Sequence, residues 1–278
     1  MTIRLISYTQ PTEEIAKHGI DDVQELIAFC ARVSNPTNQF NTETSDRLIS
    51  YLIRNKHWSP LEMVDACLEV ETTRDIGRQL LRHRSFVFQD FSQRYADPTD
   101  KNSSLSFVTR EARLQDSKNR QNSITTDDAM LQLQWEKRQR EVIDLCESNY
   151  RWAVENGIAK EQARAVLPEG LTMSRMYVKG SIRSWIHYIE IRSSKETQKE
   201  HREIARACAQ AITSIFPMID QFVDGDGETQ CQKQSLHSSQ TTTRGTVKSG
   251  SLAQSSLRSN TTTTKGIFSL LKSIVKKR

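Results

Sequence analysis

The sequence predicts an α+β fold, with a central mixed sheet flanked by helices and a disordered C-terminal tail. Two segments, Ile3 to Tyr8 and Met63 to Thr72, alternate apolar and polar side chains as strands do. Other segments repeat apolar residues at three- and four-residue steps, as helices do. Because these elements do not form repeated βαβ units, their order favours α+β over a doubly wound sheet.

In the first hundred residues the patterns predict two strands and three helices. Asp21 and Asp22 precede the first helix, where negative charge suits the positive end of the helix dipole. A second helix is predicted from Thr44 to Asn55. The strand from Met63 to Thr72 leads into a third helix, from Arg74 to Arg84.

The middle of the chain begins with a polar surface excursion over residues 97–125, in which only Leu105 to Val108 resembles a strand. Helical periodicity or strand-like alternation returns after it. The predicted elements are helices at Thr126–Glu155 and Lys160–Leu167, a strand at Leu171–Val178, and helices at Ser181–Ile191 and Thr197–Phe216.

Composition divides the chain into a body over residues 1–222, a Ser/Thr-rich linker over 223–264 and a short basic amphipathic segment over 265–278. The linker has too few large apolar side chains to offset the entropy of ordering, so we predict that it is disordered. The last segment places five apolar residues on one helical face, with lysines elsewhere: Ile267, Leu270, Leu271, Ile274 and Val275.

The net charge of +5 comes from the tail rather than from the body. From Val223 onward there are nine basic and three acidic residues, which leaves the body with a net charge of −1. The body therefore has no general excess of positive charge to attract nucleic acid, and we expect no nucleic-acid partner.

No apolar run approaches the roughly 20 residues of a membrane helix, and the N-terminus does not resemble a secretory signal, so we expect no stable membrane insertion. The five cysteines form no CxxC pair, which favours reduced thiols in the cytoplasm, or the host-cell cytoplasm if the chain is viral. No His, Cys, Asp and Glu set has metal-ligand spacing, so we expect no metal.

The densest group of chemically active residues is Arg82-His83-Arg84, followed by Ser92, Arg94 and Tyr95. At about 100° per residue, three adjacent basic side chains on a helix point in different directions and can reach several sites. Guanidinium groups bind phosphate oxygens in bidentate fashion. Taken alone, such a run is more commonly a solvated helix end, but its spacing to Ser92 and Arg94 favours an anion-binding site.

This spacing resembles the signature of the flavin-dependent thymidylate synthases, in which Arg-His-Arg is followed after seven residues by Ser. Three further segments resemble motifs of that family in order and spacing: His57 to Glu62, Arg164 to Pro168, and Ser181 to His187 leading to Arg192. Ala31 to Ser34 also matches, and the resemblance spans about residues 1–220.

The resemblance implies reductive methylation of deoxyuridine monophosphate, with methylenetetrahydrofolate as the carbon donor and FAD reduced by NADPH. It implies a homotetramer with active sites between subunits. For FAD it implies Ser59, Arg82, His83, Arg84, Asp90, Ser181, Arg183 and His187, with His57 and Ser34 nearby. For the nucleotide it implies Gln79, Arg82, Asp90, Ser92, Arg94, Arg164 and Arg192.

Arg192 is the predicted catalytic residue. A guanidinium beside the uracil ring favours ionisation at N3, which makes C5 a better nucleophile, so no protein nucleophile is needed. The alternative for Arg192 is a helix cap or an ion pair with Glu190 or Glu196. Ser92 is discounted as a nucleophile because no histidine base is placed beside it.

Other interpretations stay open. The chain could be a nucleic-acid-binding module that uses Arg82 to Arg84 and the tail, or an inactive protein that docks through its last segment. His201 is expected on a solvated helix face, and Trp185 is expected to pack, although it lies in the flavin helix. The sequence also departs from the family pattern at five positions: Val87, Gln89, Asp90, Ser181 and Glu196.

Overall fold

A computed structural model gives the fold of this chain and describes residues 2–100 and 105–224. Apart from Val223 and Asp224, the predicted linker and the terminal amphipathic segment lie outside the described residues. No helix in the described ranges is long and apolar enough to cross a bilayer.

The main sheet has four strands in the order β1-β2-β6-β3. Their bounds are Thr2–Tyr8 for β1, Asp65–Thr73 for β2, Val87–Asp90 for β3 and Met173–Ser181 for β6. The α+β class is confirmed. The sheet was predicted to be mixed, but each of its pairings is antiparallel. Side chains alternate in the same way in parallel and antiparallel strands, so the pattern could not give their direction.

Eight α-helices surround this sheet in the described residues, joined by short 3₁₀ turns such as Ser59–Glu62 and Arg164–Val166. Their bounds are Glu13–Ala16 for α1, Val23–Ala31 for α2, Ser45–Arg54 for α3, Arg74–Leu80 for α4, Ala129–Glu155 for α5, Lys160–Ala163 for α6, Ile182–Arg192 for α7 and Lys199–Thr213 for α8. At the start of α2 the Asp22 carboxylate accepts from the Glu25 amide at 2.8 Å, which completes a capping box and confirms the expected acidic start.

The polar excursion contains a hairpin that the sequence pattern did not indicate. Strand β4, Arg113–Gln115, pairs with β5, Ser123–Thr125. The expected strand at Leu105–Val108 is reduced to one bridge between Phe107 and Thr172. Strands of three residues are too short for alternation to identify them.

The sequence predicts that the basic run Arg82 to Arg84 lies on a helix, but in the structure the run follows the end of the helix. Helix α4 ends at Leu80, and tighter turns follow, in which the amide of His83 donates to Leu80 O at 3.0 Å and that of Phe86 to His83 O at 3.2 Å. These turns redirect the chain into β3, which pairs with β6. Long-range strand pairing therefore overrides the local helical pattern.

Helices α7 and α8 bury their apolar sides in the main core. From α7 the buried side chains include Trp185, Tyr188 and Ile189. Trp185 is wholly buried and its Nε1 donates to Ala66 O at 3.1 Å, so its predicted packing role is confirmed. This packing holds α7 against β2, beside the end of α4.

Candidate functional site

Arg192, at the end of α7, contacts the basic turn that follows α4. Its Nε donates to Nε2 of His83 at 3.0 Å, across 109 positions of sequence. Burial, then the charges of Arg192, His187 and Arg82, lower the pKa of His83 from its ordinary 6.5 to about 4. At neutral pH His83 is therefore an uncharged imidazole that can accept this hydrogen bond.

No acidic side chain in the described ranges forms an ion pair with Arg192. The described ion pairs involve neither Glu190 nor Glu196 with this residue. The alternative of a structural ion pair is thus not realised here. Because only Nε is used by His83, the outer part of the guanidinium fork is left to bind a ligand.

A second group of side chains surrounds Gln79 on α4. Its amide nitrogen donates to Gln198 Oε1 at 2.9 Å, and its carbonyl oxygen lies 3.2 Å from His201 Nδ1. The expectation that His201 is solvated was wrong, because its exposed fraction is 0%. The charged neighbours of His201 in sequence suggested exposure, but the residue lies on the inner face of α8 with Ile204, Ala205 and Cys208.

A cavity of about 800 Å³ opens beside the start of α7. This volume lies within the roughly 300–1,000 Å³ range of ligand sites. Three predicted flavin residues line it, Ser181, Arg183 and His187, together with Lys56, Trp58 and Ser184 among others. Its wall also contains Gly180, where an added Cβ would stand 2.3 Å from Phe86 Cδ1, so no larger side chain fits without movement of the Phe86 ring.

Glu62 organises the polar side of this cavity. It accepts from Ser181 Oγ at 2.8 Å and pairs with Arg183. Burial alone would raise the pKa of Glu62, but the hydrogen bonds from Ser181 and Arg183 and the charge of Arg183 outweigh it and lower the pKa. Sequence reasoning placed Glu62 in a family motif without giving it a role, because its partners lie about 120 positions away in the chain.

Ser181 is also the N-cap of α7. Its Oγ accepts from the Ser184 amide at 3.2 Å while it donates to Glu62. A serine that caps the helix in this way is fixed in orientation and stabilises the helix by about 1 kcal/mol. The predicted flavin helix is thus anchored at the cavity by Ser181 and Glu62.

A third group joins the loop after β3 to the segment around α6. Arg94 lies 3.5 Å from Glu161 Oε2, and Arg164 Nε donates to Glu161 O at 3.3 Å. The Ser92 hydroxyl accepts from the Arg94 amide at 3.4 Å. The structure therefore brings together Arg94 and Arg164, both predicted to bind the nucleotide. Arg94 contacts the side chain of Glu161, and Arg164 contacts its backbone oxygen.

The remaining predicted site residues are more dispersed. Asp90 accepts from Ser174 Oγ at 3.1 Å on the paired strand. Arg82 and Arg84 are exposed on the turn, and Ser59 and His57 are exposed at the turn before β2. Ser34 is exposed after α2 and does not line the cavity. In residues 2–100 and 105–224 no group of three or more His, Cys, Asp or Glu could hold a metal ion.

Comparison with known proteins identifies the family. Residues 5–218 match the family described as thymidylate synthase complementing protein. A relative from Paramecium bursaria Chlorella virus 1, named "Probable flavin-dependent thymidylate synthase", is 45% identical over 224 residues, which cover 81% of this chain and 99% of the relative. The chain belongs to the flavin-dependent thymidylate synthase family.

A second relative in this family, the flavin-dependent thymidylate synthase of Synechocystis, is also 45% identical, over 79% of this chain and 97% of its own length. The solved structure of a UMP/dUMP methylase, PolB from Streptomyces cacaoi bound with 5-Br dUMP, has the same fold, with a TM-score of 0.65 at 22% identity. The comparison covers 80% of this chain and 93% of that one. The predicted family is thus confirmed, and every candidate residue lies inside the matched segment.

Proposed function

We propose that this protein methylates deoxyuridine monophosphate reductively, with methylenetetrahydrofolate as the carbon donor and FAD reduced by NADPH. The family supports the class of reaction, since its members are named for flavin dependence and thymidylate synthesis. The contact between Arg192 and a neutral His83 is the observation that carries the proposal, because it fixes a guanidinium without an acidic partner among the described residues at the end of α7, the helix that lines the cavity.

FAD fits the donor set of the cavity. Arg183, His187 and Ser184 line it together with Lys56 and Lys179. Three carboxylates also line it, Glu62, Asp65 and Glu190, and Arg183 and Lys179 pair with the first two, so a bound pyrophosphate would compete with these carboxylates for the two cations. Guanidinium, ammonium and hydroxyl donors suit a pyrophosphate and the carbonyl groups of a flavin ring. When bound, FAD supplies the redox chemistry of the methyl transfer. Ser59, Arg82, His83, Arg84 and Asp90, with His57 and Ser34, are proposed to complete its site from neighbouring subunits.

The nucleotide is proposed to bind through Gln79, Arg82, Ser92, Arg94 and Arg164, with the backbone at Asp90. Arg94 and Arg164 both contact Glu161, so their guanidinium groups lie near each other, and a phosphate that displaced the Glu161 carboxylate from Arg94 would meet both. Arg192 would face the uracil ring. Its fixed positive charge favours the ionised ring, in which C5 is electron-rich, so the chain needs no nucleophile of its own.

We further propose a homotetramer with sites between subunits. Helix α5 supports it, since Trp135, Val142, Leu145 and Trp152 lie on one helical face with exposed fractions of 45%, 45%, 63% and 61%. A solvent-facing row of this kind marks an interface in a folded protein. Assembly through α5 would also explain why the flavin residues of one chain are dispersed.

A flavin spectrum followed by a tritium-release assay tests the proposal. The purified protein should be yellow and should release tritium from 5-tritiated deoxyuridine monophosphate only when methylenetetrahydrofolate and NADPH are both present. A colourless protein that cannot be reconstituted with FAD, and that binds DNA with steep salt dependence, would instead be a nucleic-acid-binding module.

A further inference from the structure

The Gln79 side-chain amide lies between Gln198, which precedes the first residue of α8, and His201 on α8. Its Nε2 donates to Gln198 Oε1, and its Oε1 faces His201 Nδ1. A carboxamide has a carbonyl acceptor at one end and two N–H donors at the other. Since the donor end faces Gln198, the acceptor end faces His201, and His201 must carry its proton on Nδ1.

His201 is held firmly in this role. Its ring packs against His83 and Tyr188, with centroid separations of 6.5 and 5.7 Å. Burial, then the charges of Arg192 and His83, lower its pKa to about 3, so the ring is neutral and has a single N–H. That one donor is directed at the Gln79 carbonyl.

Gln198 is fixed in the same way from the other side. Its Nε2 donates to Glu200 Oε2 at 2.9 Å, and Glu200 is a buried carboxylate paired with Arg113. Reversal of the Gln79 amide would set two acceptors against each other at Gln198 and two donors at His201. Each buried mismatch costs about 1–3 kcal/mol, so the amide has one orientation.

We propose that His201 is a positioning residue for the nucleotide, and that its Nδ1–H orients the Gln79 amide so that the second N–H of that amide faces bound deoxyuridine monophosphate. The inference rests on the proposed function, in which Gln79 binds the nucleotide. His201 is wholly buried, whereas Gln79 is half-buried, so His201 acts through Gln79 and does not touch the substrate.

Two amide variants separate the two imidazole nitrogens. Asparagine places its amide nitrogen near the position of Nδ1, and glutamine places it near that of Nε2. We expect the FAD-loaded His201→Asn protein to bind deoxyuridine monophosphate within about 3-fold of wild type, and His201→Gln and His201→Phe to bind it on the order of 10-fold more weakly, the loss of one hydrogen bond. Isothermal titration calorimetry measures these dissociation constants, and exposed Glu203→Gln on α8 is the control.

Thermal stability should not follow affinity. His201→Asn loses the ring contacts with His83 and Tyr188 and should lower the melting temperature. His201→Phe keeps the ring packing and removes the buried Nε2, which has no hydrogen-bond partner among the described residues of the wild-type protein, so it should lower the melting temperature less. If His201 only stabilised the fold, the variants would fall in the same order for nucleotide affinity and for melting temperature. The same order in both measurements would overturn the proposal.

A double-mutant cycle isolates the route through Gln79. In a Gln79→Ala protein, His201→Gln should weaken nucleotide binding by less than about 2-fold further, because the amide that it orients is already gone. A full additional loss, or wild-type affinity in the single His201→Gln protein, would overturn the inference. If His201→Gln does not fold, ¹⁵N NMR of the wild-type protein decides, since a proton on Nε2 contradicts the proposal and a proton on Nδ1 supports it.

The two proposals fail in different ways. Unchanged affinity in all His201 variants, in a protein that methylates the nucleotide, removes only the role of His201. A flavin-loaded wild-type protein that does not bind deoxyuridine monophosphate removes the proposed function, and the inference with it.

Discussion

Three buried or half-buried histidine and arginine side chains set the electrostatics of the site at the residue scale. Arg192, His83 and His201 lie together, and burial, followed by the charge of Arg192, lowers the pKa of both histidines. Burial and the fixed guanidinium together therefore keep two neighbouring imidazoles neutral. As a result, each ring makes one directed hydrogen bond: His83 accepts from Arg192, and His201 donates to Gln79.

His201 makes the fold sensitive to acid. Its pKa is about 3 in the folded chain and 6.5 ordinarily, so the unfolded chain binds the proton more readily. The contribution of neutral His201 to the free energy of unfolding is present in full above pH 6.5 and is lost as the pH falls towards 3. At about pH 5 the loss is about 2 kcal/mol.

Denaturant unfolding of wild type and His201→Phe as a function of pH checks this expectation. The variant should lose less stability between pH 7 and pH 5, although some acid sensitivity will remain from His83, whose pKa is also lowered. The same slope in both proteins would show that His201 is not buried in neutral form.

Gly180 is required by the close approach of Phe86 at the cavity wall. Gly180→Ala should destabilise the protein by about 1–3 kcal/mol, because the Phe86 ring must move to accommodate the new methyl group. Gly170→Ala is the matched control, since its Cβ would lie 4.0 Å from the nearest atom, on the Arg110 side chain. Thermal unfolding measures both, and equal effects would contradict the packing argument.

At the scale of elements, periodic segments were predicted well and short ones were not. Helices α2, α3, α5, α7 and α8 were each expected from their spacing of apolar residues. Strand β3 was missed because it has four residues, and its pairing with β6 is a long-range contact. That pairing also ends α4 early and moves His83 from a helix into a turn.

The site was predicted as a set of residues rather than as contacts. His83 and Arg192 were both selected, yet the hydrogen bond between them spans 109 positions and nothing local indicates it. Glu62 and His201 were missed as functional residues for the same reason. Spacing identifies which residue types are present, whereas sheet pairing and helix packing decide which of them meet.

Helix α5 provides a test of assembly. Leu145→Glu should place a charge in the proposed interface and shift the protein from a tetramer to smaller species with less bound FAD. Lys137→Glu, exposed on α5 but outside this row, should leave assembly intact. Sedimentation velocity measures both, and a wild-type protein that sediments as a monomer with bound FAD would remove the tetramer proposal.

At the scale of the whole molecule, the family match ends at residue 218 and every candidate residue precedes it. Deletion of residues 225–278 should therefore leave FAD content and turnover within about 2-fold of wild type, since the Ser/Thr-rich linker that makes up most of this segment has too few large apolar side chains to add to a core. Absorbance at the flavin band and the tritium-release rate measure this. Loss of FAD on truncation would show that the tail takes part in the site.

The most direct test of the account is tritium release at saturating deoxyuridine monophosphate by wild type, Arg192→Lys and Arg192→Ala. All three should bind FAD and reduce it with NADPH, but the variants should lose about 2–4 kcal/mol of transition-state stabilisation, on the order of 30- to 1,000-fold in rate. Arg192→Lys should not restore the rate of tritium release, because lysine lacks the planar guanidinium fork. Near-normal release by a folded, flavin-loaded Arg192→Ala protein, or none by wild type, would contradict the account.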